Sequence, residues 1–217
     1  MSASGDDRST PEHWRLVPIP VVTRVLAVIG AVVLAVVLSG CRGAPWTGPT
    51  YRVTATVPVG KLPDGVAVDP GTHTAYVTNL DDDTVSVINA STRTMTATVP
   101  VGKRPIEVAA DPGTHTAYVT NYGDNTVSVI NASTRTMTAT VPVGKRPDGV
   151  AADPGTHTAY VTNLDDDTVS VIDASTRTVT ATVPVGRGSV GVAVDPGTHT
   201  VYVTNLDDGT VSVIESR

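Results

Sequence analysis

Hydrophobic and polar residues alternate in short runs along the chain after residue 50, and polar turn sequences separate the runs. The stretch 145–186 shows this most clearly. Its turn sequences DPGTH, NLDDD and DASTRT are followed by the strand-like sequences TAYVTN, TVSVI and TATVPVG, respectively. Alternation with a period of two is typical of β-strands, which favour Val, Ile, Tyr and Thr. Pro, Gly, Asn and Asp are typical of tight turns. The pattern predicts four strands in this stretch, A to D, at 149–153, 158–163, 168–172 and 179–185.

The same pattern returns with a period of 42 residues, as the spacing of Asp69, Asp111, Asp153 and Asp195 shows. Between 103–144 and 145–186, 35 of 42 positions are identical. Repeats of about 40 residues that contain four short strands are typical of β-propeller blades. We therefore predict an all-β fold, a β-propeller of four four-stranded blades.

The two ends of the repeat array predict how the ring closes. A sequence of the D type, YRVTATVPVG at 51–60, precedes the first repeat, and the last repeat stops after its C strand, TVSVI at 210–214. We predict that the N-terminal strand pairs into the last blade and closes the ring. Four blades is the low end of the usual range. The alternative is an open arc that completes a larger ring by pairing with a second copy.

The order of AYVTN, TVSVI and VPVG within each repeat resembles the YVTN-family β-propeller repeat, over about residues 51–214. The resemblance implies a propeller of the kind found on surface-layer and exported proteins, where members often have seven blades. Some propellers that resemble this chain are lyases or quinone-dependent dehydrogenases, and binding of single-stranded nucleic acid occurs among relatives. These activities are the alternatives to a non-catalytic role.

The N-terminal region contains one long apolar run, from Val25 to Leu38. Its 14 residues are fewer than the roughly twenty that span a bilayer as a helix, and they suit the apolar part of a signal peptide. Leu38-Ser39-Gly40-Cys41 resembles the bacterial lipobox, in which the signal is cut before a Cys that carries the lipid.

We accordingly predict a signal or anchor segment at 1–41 with Cys41 as the lipidation site, a linker at 42–50 and the propeller at 51–217. The alternatives are an uncleaved transmembrane anchor and a true start codon further downstream. Both anchoring modes place the protein at the cell membrane with its repeats on the extracytoplasmic side, since the Arg residues before the apolar run favour an internal N-terminus.

The charge and the motifs of the sequence argue against nucleic-acid binding and against catalysis. The formal net charge is −6, whereas nucleic-acid-binding domains usually carry a basic excess, so we expect no nucleic-acid partner. The sequence has neither G-x-S-x-G nor a phosphate-binding loop. An active site combines unlike groups, but near-identical repeats supply the same groups around the ring. We therefore predict no catalytic residue and no cofactor.

Two recurrent residue types resemble metal ligands. His73 and its equivalents recur once per repeat in the turn between strands A and B, without a second ligand type at zinc-site spacing. The Asp triplets at 81–83 and 165–167 lack the alternating spacing and the distal Glu of a calcium loop. We interpret both as solvated turn residues and predict no metal site.

The repeats differ mainly in two sets of connections, the D–A connections between repeats and the B–C turns within them. Strand alternation brings both sets to one face of the disc, here called the variable face. Variation gathered on one face of a rigid scaffold indicates a binding surface. Tyr122 is its best anchor, because aromatic side chains are common interface anchors. The predicted surface comprises Lys103, Arg104, Ile106, Glu107, Tyr122, Arg187 and Ser189. We expect its partner to be another protein or a cell-envelope component.

Overall fold

The computed structural model describes residues 51–215, which contain 15 β-strands and no helix. The strands are β1 (Pro63–Asp69), β2 (Thr74–Asn79), β3 (Thr84–Asn89), β4 (Thr94–Pro100), β5 (Pro105–Asp111), β6 (Thr116–Asn121), β7 (Thr126–Asn131), β8 (Thr136–Pro142), β9 (Pro147–Asp153), β10 (Thr158–Asn163), β11 (Thr168–Asp173), β12 (Thr178–Pro184), β13 (Ser189–Asp195), β14 (Thr200–Asn205) and β15 (Thr210–Ile214).

The strands form four antiparallel sheets in chain order, one for each repeat. The first three sheets are β1–β4, β5–β8 and β9–β12, and the fourth contains only β13–β15. The strands predicted for 145–186 match β9 to β12 within two residues at every end. The predicted all-β, four-repeat organisation is therefore confirmed, with a blade-like sheet for each repeat.

The sheets stack face to face, and the A strands (β1, β5, β9 and β13) contact one another in succession. We call the contact between two successive sheets a junction. At the first junction, Tyr76 and Val85 of the first sheet pack against Val119 and Ile130 of the second, and all four are fully buried. Equivalent residues form the second and third junctions. The inner sheets are thus covered on both faces, which explains their nearly continuous apolar strands.

Histidine–aspartate pairs also join successive sheets. His115 Nδ1 lies 3.0 Å from Asp69 Oδ2, His157 Nδ1 lies 3.1 Å from Asp111 Oδ2, and His199 Nδ1 lies 2.7 Å from Asp153 Oδ2. The three carboxylates are buried. The repeated DPGTH turn therefore forms part of the junctions. His115, His157 and His199 are still about half exposed, as expected for turn residues, but they are not free, because each is paired with an aspartate of the preceding sheet.

Two further hydrogen bonds recur at every junction. The Thr hydroxyl of YVTN donates to a carbonyl of the next A strand, from Thr78 to Ile106 at 2.7 Å and equivalently from Thr120 and Thr162. The last residue of each B–C turn accepts a backbone N–H of the next D–A connection, as Asp83 Oδ1 does from Arg104 N at 2.8 Å.

The structure corrects the predicted closure of the ring. Residues 51–60 form no strand, Tyr51 is 91 % exposed, and no described residue forms a fourth strand beside β15. Val66 on the outward face of the first sheet and Val211 on the outward face of the last are 63 % and 56 % exposed. The two ends of the stack therefore do not cover each other, and the N-terminal D-type segment does not reach β15 in this structure.

The predicted signal segment, lipobox, lipidation site Cys41 and linker lie outside the described residues. Within residues 51–215, no helix has the length and hydrophobicity that crossing a membrane requires.

Candidate functional site

The D–A connections and the B–C turns contact each other on one face, as the sequence predicted for the variable face. At the second repeat, the backbone N–H of Tyr122 donates to Arg104 O at 3.1 Å, and that of Gly123 donates to Lys103 O at 3.0 Å. The first, third and fourth repeats make equivalent bonds. The connections on this face are therefore held in a defined conformation by their own main chain.

The aspartates of the B–C turns clamp the D–A connections. Asp124 Oδ2 accepts the backbone N–H of Lys103 at 2.7 Å, and Asp82, Asp166 and Asp208 accept the equivalent N–H groups. Arg104 and Arg146 adopt left-handed backbone conformations at φ 51° and 52°. The aspartate-rich turns thus fix the loops through local hydrogen bonds, a role that Asp commonly plays in turns.

The glycine of each VPVG sequence has a steric cause in the asparagine of the YVTN sequence that follows it. The amide of Asn121 donates from Nδ2 to Thr126 Oγ1 at 3.0 Å and to Ser128 Oγ at 2.9 Å. A Cβ added to Gly102 would lie 2.6 Å from Asn121 Cγ. Only glycine lets the D–A connection pass this close to the Asn side chain, and the other three repeats show the same contact.

Tyr122 is the centre of an aromatic and basic cluster. The Cζ atoms of Arg104 and Arg146 lie over its ring, at 5.5 Å and 4.6 Å from the centroid. Arg146 also donates from a guanidinium nitrogen to Asp165 Oδ1 at 3.2 Å. These are cation–π distances, and they connect the D–A connections on either side of the second repeat through one aromatic ring. We call Lys103, Arg104, Tyr122 and Arg146 the Tyr122 cluster.

Local charge separates this cluster from the rest of the variable face. The second B–C turn has Gly123 and Asn125 where the first and third turns have Asp, so it carries two carboxylates fewer. Lys61, Lys145 and Arg187 lie 3.9, 3.7 and 2.8 Å from a carboxylate oxygen. Within residues 51–215, the side chains of Lys103 and Arg104 form no salt bridge, and both residues are exposed.

The A strands carry acidic residues beside the variable face, at Asp64, Glu107 and Asp148, and we call this part its inner rim. Burial raises the pKa of the Asp148 carboxyl, the nearby charge of Asp64 raises it further, and Arg146 opposes both effects. Ile106 and Glu107 lie half-buried in β5, and Glu107 Oε1 accepts the backbone N–H of Val108 at 3.0 Å. The predicted residues Ile106 and Glu107 therefore belong to this inner rim.

The other two predicted surface residues lie apart from the cluster. Arg187 is exposed and bonds Asp208 at 2.8 Å, and this hydrogen bond and charge raise the pKa of its guanidinium. Ser189 is fully buried and donates from Oγ to Asn163 O at 3.1 Å. It therefore cannot be part of an exposed surface, because its side chain is used in packing between the third and fourth sheets.

Arg146 is the residue of the Tyr122 cluster that the predicted binding surface omits. The D–A connections on both sides of the second repeat contain Lys-Arg, so comparing repeats drew no attention to Arg146. The sequence did contain one indication of its role. Arg146 lies in the D–A connection that follows the second repeat, and stacking of successive sheets brings this connection against the B–C turn that contains Tyr122. No group of three or more His, Cys, Asp or Glu side chains in the described part of the chain is arranged to hold a metal ion.

Comparison with known proteins identifies the fold alone. The chain matches no protein-family profile and no curated protein. Among solved structures it resembles Kuenenia stuttgartiensis hydrazine synthase, with a TM-score of 0.64 and 21 % identity over 76 % of this chain and 53 % of that one. It also resembles a functionally unknown protein from Desulfotomaculum acetoxidans DSM 771, with a TM-score of 0.59 and 16 % identity over 70 % and 55 % of the two chains. The chain thus spans about half the length of each.

Proposed function

We propose that this protein is a membrane-tethered, extracytoplasmic β-propeller module that binds another protein or cell-envelope component without catalysis. The observation that carries the proposal is the Tyr122 cluster. Two guanidinium groups and an aromatic ring meet there on a face whose loops are already fixed by hydrogen bonds. Tyr and Arg are the residues that most often dominate binding energy at protein interfaces.

The charges of the cluster indicate the chemistry of the partner. Lys103 and Arg104 carry no salt bridge within residues 51–215, although aspartates surround them on the neighbouring turns. An Arg guanidinium binds carboxylates through two parallel hydrogen bonds, and its rigid fork loses little entropy on binding. We therefore propose an acidic protein segment as the partner, seated over the second repeat.

The alternation and the family resemblance of the repeats support a propeller, and the lipobox supports tethering through an acylated Cys41. Acylation is tested by growing producing cells with a labelled fatty acid. The full chain takes up label, and Cys41→Ser does not. Equal labelling of both chains would place the lipid on another residue, and labelling of neither chain would leave the uncleaved anchor as the means of tethering.

The binding role is tested with three forms of the full chain in detergent, each immobilised and exposed to envelope extract of the source cells. Tyr122→Phe keeps the ring, whereas Tyr122→Leu gives this turn the residue of the other three repeats. We expect the wild type and Tyr122→Phe to retain a common protein and Tyr122→Leu to retain it at least about tenfold less, as for an interface anchor.

A matched control is Arg93→Ala, which removes an exposed arginine from a C–D turn on the opposite face. It should bind as the wild type does. If Tyr122→Leu retained the same protein as strongly as the wild type, the cluster would not be the binding surface.

A further inference from the structure

The two ends of the stack are the two halves of a junction. On the last sheet, Tyr202, Val211 and Val213 are 45 %, 56 % and 56 % exposed. Their equivalents one, two and three repeats earlier face the next sheet and are largely or fully buried, as Tyr76, Val85 and Val87 are. We infer that this face docks onto the first sheet of a second copy of the chain. This inference concerns the ends of the stack and does not depend on the proposed binding surface.

The first sheet presents the complementary apolar half. Val66 is 63 % exposed, whereas its equivalents Val108 and Val150 are buried at the first and second junctions. Ile88 is only half-buried, whereas Ile130 is fully buried against the first sheet. Each end therefore has the apolar residues that the other end would bury, in the arrangement already used at three junctions within the chain.

The polar groups of the two ends are complementary as well. His73 and Asp195 are exposed, and within the described residues they form no pair, although the corresponding residues pair at every internal junction. Thr204 Oγ1 occupies the position from which Thr78, Thr120 and Thr162 donate to the next sheet, and its equivalent acceptor is the carbonyl of Asp64. Two of the three recurrent polar contacts can therefore form between copies.

The third polar contact cannot form, and this distinguishes the ends from the internal junctions. Gly209 stands where Asp83, Asn125 and Asp167 supply a side-chain oxygen to the next D–A connection. A junction between copies would thus lack one hydrogen bond per contact. We expect it to be weaker than an internal junction and to depend on protein concentration.

The exposed N-terminal segment would complete the fourth sheet of the other copy. In the first sheet, Val85 pairs with Val99 and Ser86 with Thr98. The 42-residue period maps these pairs onto Val211 with Val57 and Ser212 with Thr56. The segment 53–58 of one copy would therefore lie antiparallel to β15 of the other, and the main chain of β15 would gain the partner that an unpaired edge strand lacks.

Two copies joined at both ends make a closed ring of eight blades, which is within the usual range for propellers. Each contact joins unlike faces, so the pair is a head-to-tail dimer that closes on itself. Closure within one chain would require the first and last sheets, whose outward faces are both exposed here, to meet each other.

Disulfide cross-linking tests the pairing directly. The full chain with Cys41→Ser carries Val57→Cys and Val211→Cys, whose Cα atoms would lie at the spacing of directly opposite strand residues, within disulfide range. Under mild oxidation we expect a cross-linked species of twice the chain mass, and the two single variants should form it only when mixed. A disulfide within one chain, or none, would overturn the inference. Val57→Cys with Thr182→Cys is the control, because Thr182 lies in β12, the fourth strand of a sheet that already has all its strands.

Complementation provides a second test that misfolding cannot imitate. Val66→Asp disables the first face and Val211→Asp the last, so light scattering of each full-length variant in detergent should give a monomer. In an equimolar mixture, the intact last face of Val66→Asp can bind the intact first face of Val211→Asp. This single contact should return the mixture to twice the monomer mass at protein concentrations where each variant alone is still a monomer. A mixture that remains monomeric would overturn the inference.

Discussion

At the scale of single residues, the buried junction residue Asp153 connects stability to pH. Burial raises the pKa of Asp153, but hydrogen bonds from Gly155 N–H, His199 and the Thr156 hydroxyl outweigh it, so the pKa lies below its usual value. A carboxyl with a depressed folded-state pKa stabilises the fold above its unfolded pKa of 3.8 and loses this contribution as pH falls through the folded value.

Asp153→Asn should therefore lower the free energy of unfolding at pH 7 by about 1–3 kcal/mol and flatten its decrease below about pH 4. Urea titrations of the full chain in detergent at pH 7 and pH 3 measure both effects. Asp165→Asn is the control, since Asp165 is exposed and forms only a surface salt bridge, which should change stability by less than about 1 kcal/mol. Equal losses for both variants would contradict a special role for the junction aspartate.

The residue scale is also where sequence reasoning failed most often. Ser189 differs between repeats, which indicated a surface residue, but the difference reflects its buried hydrogen bond to Asn163 O. The histidines recur without variation, and the pattern gave no indication of a partner for them. Each paired histidine contacts an aspartate 46 residues earlier, in the preceding repeat. Contacts that join one repeat to the next cannot be recognised from the pattern within a repeat.

At the scale of strands and sheets, the sequence predicted the structure well, because local signals agree with one another. Alternation placed the strands of 145–186 within two residues, and the DPGTH and NLDDD sequences form the predicted turns. The Thr of YVTN could not be interpreted in this way, since its hydroxyl serves two strands at once. Thr162 Oγ1 accepts the backbone N–H of Gly149 at 2.9 Å and donates to Val190 O of the next sheet at 2.6 Å.

Thr162→Val keeps the shape and strand preference of the side chain and removes both bonds. We expect it to destabilise the full chain by about 1–3 kcal/mol, because buried polar groups of two strands lose their partner. The matched control is Thr180→Val in the outer strand β12, where the exposed hydroxyl makes one bond within its own sheet and the loss should be below about 1 kcal/mol. If the control lost as much stability as Thr162→Val, the joining of sheets by this hydroxyl would be refuted.

At the scale of the whole molecule, the repeat count alone could not predict how the stack ends. A spare D-type sequence at one end and a missing D strand at the other are compatible with closure within one chain and with pairing between two. What decides between them is the angle between successive sheets, which side-chain packing at the junctions sets. In the structure this packing leaves both terminal faces open and the 51–60 segment away from β15.

Gly155 and Gly197 occupy equivalent turns in the third and fourth repeats, and substituting each one tests a different property, the stability of the fold or the association of two copies. A Cβ added to Gly155 would lie 2.6 Å from His199 Cε1 of the next sheet, whereas one added to Gly197 would meet only Asp195 Oδ1, at 3.3 Å. Gly155→Ala should therefore displace the His199 ring and cost the fold about 1 kcal/mol, the net value of the hydrogen bond between His199 and Asp153. Gly197→Ala should leave the fold of a monomer almost unchanged, because within residues 51–215 no further sheet packs against the fourth one.

The head-to-tail dimer changes this expectation for Gly197, because His73 of the second copy would occupy the place that His199 has beside Gly155. Gly197→Ala should then raise the dimer dissociation constant about tenfold or more, measured by light scattering of the full chain over a dilution series, while its urea titration at monomer concentrations matches the wild type. Unchanged dissociation would show that His73 does not pack against the last sheet. Because each copy presents Gly197 at one of the two contacts of the ring, Gly197→Ala weakens both contacts at once and shifts the equilibrium toward folded monomers.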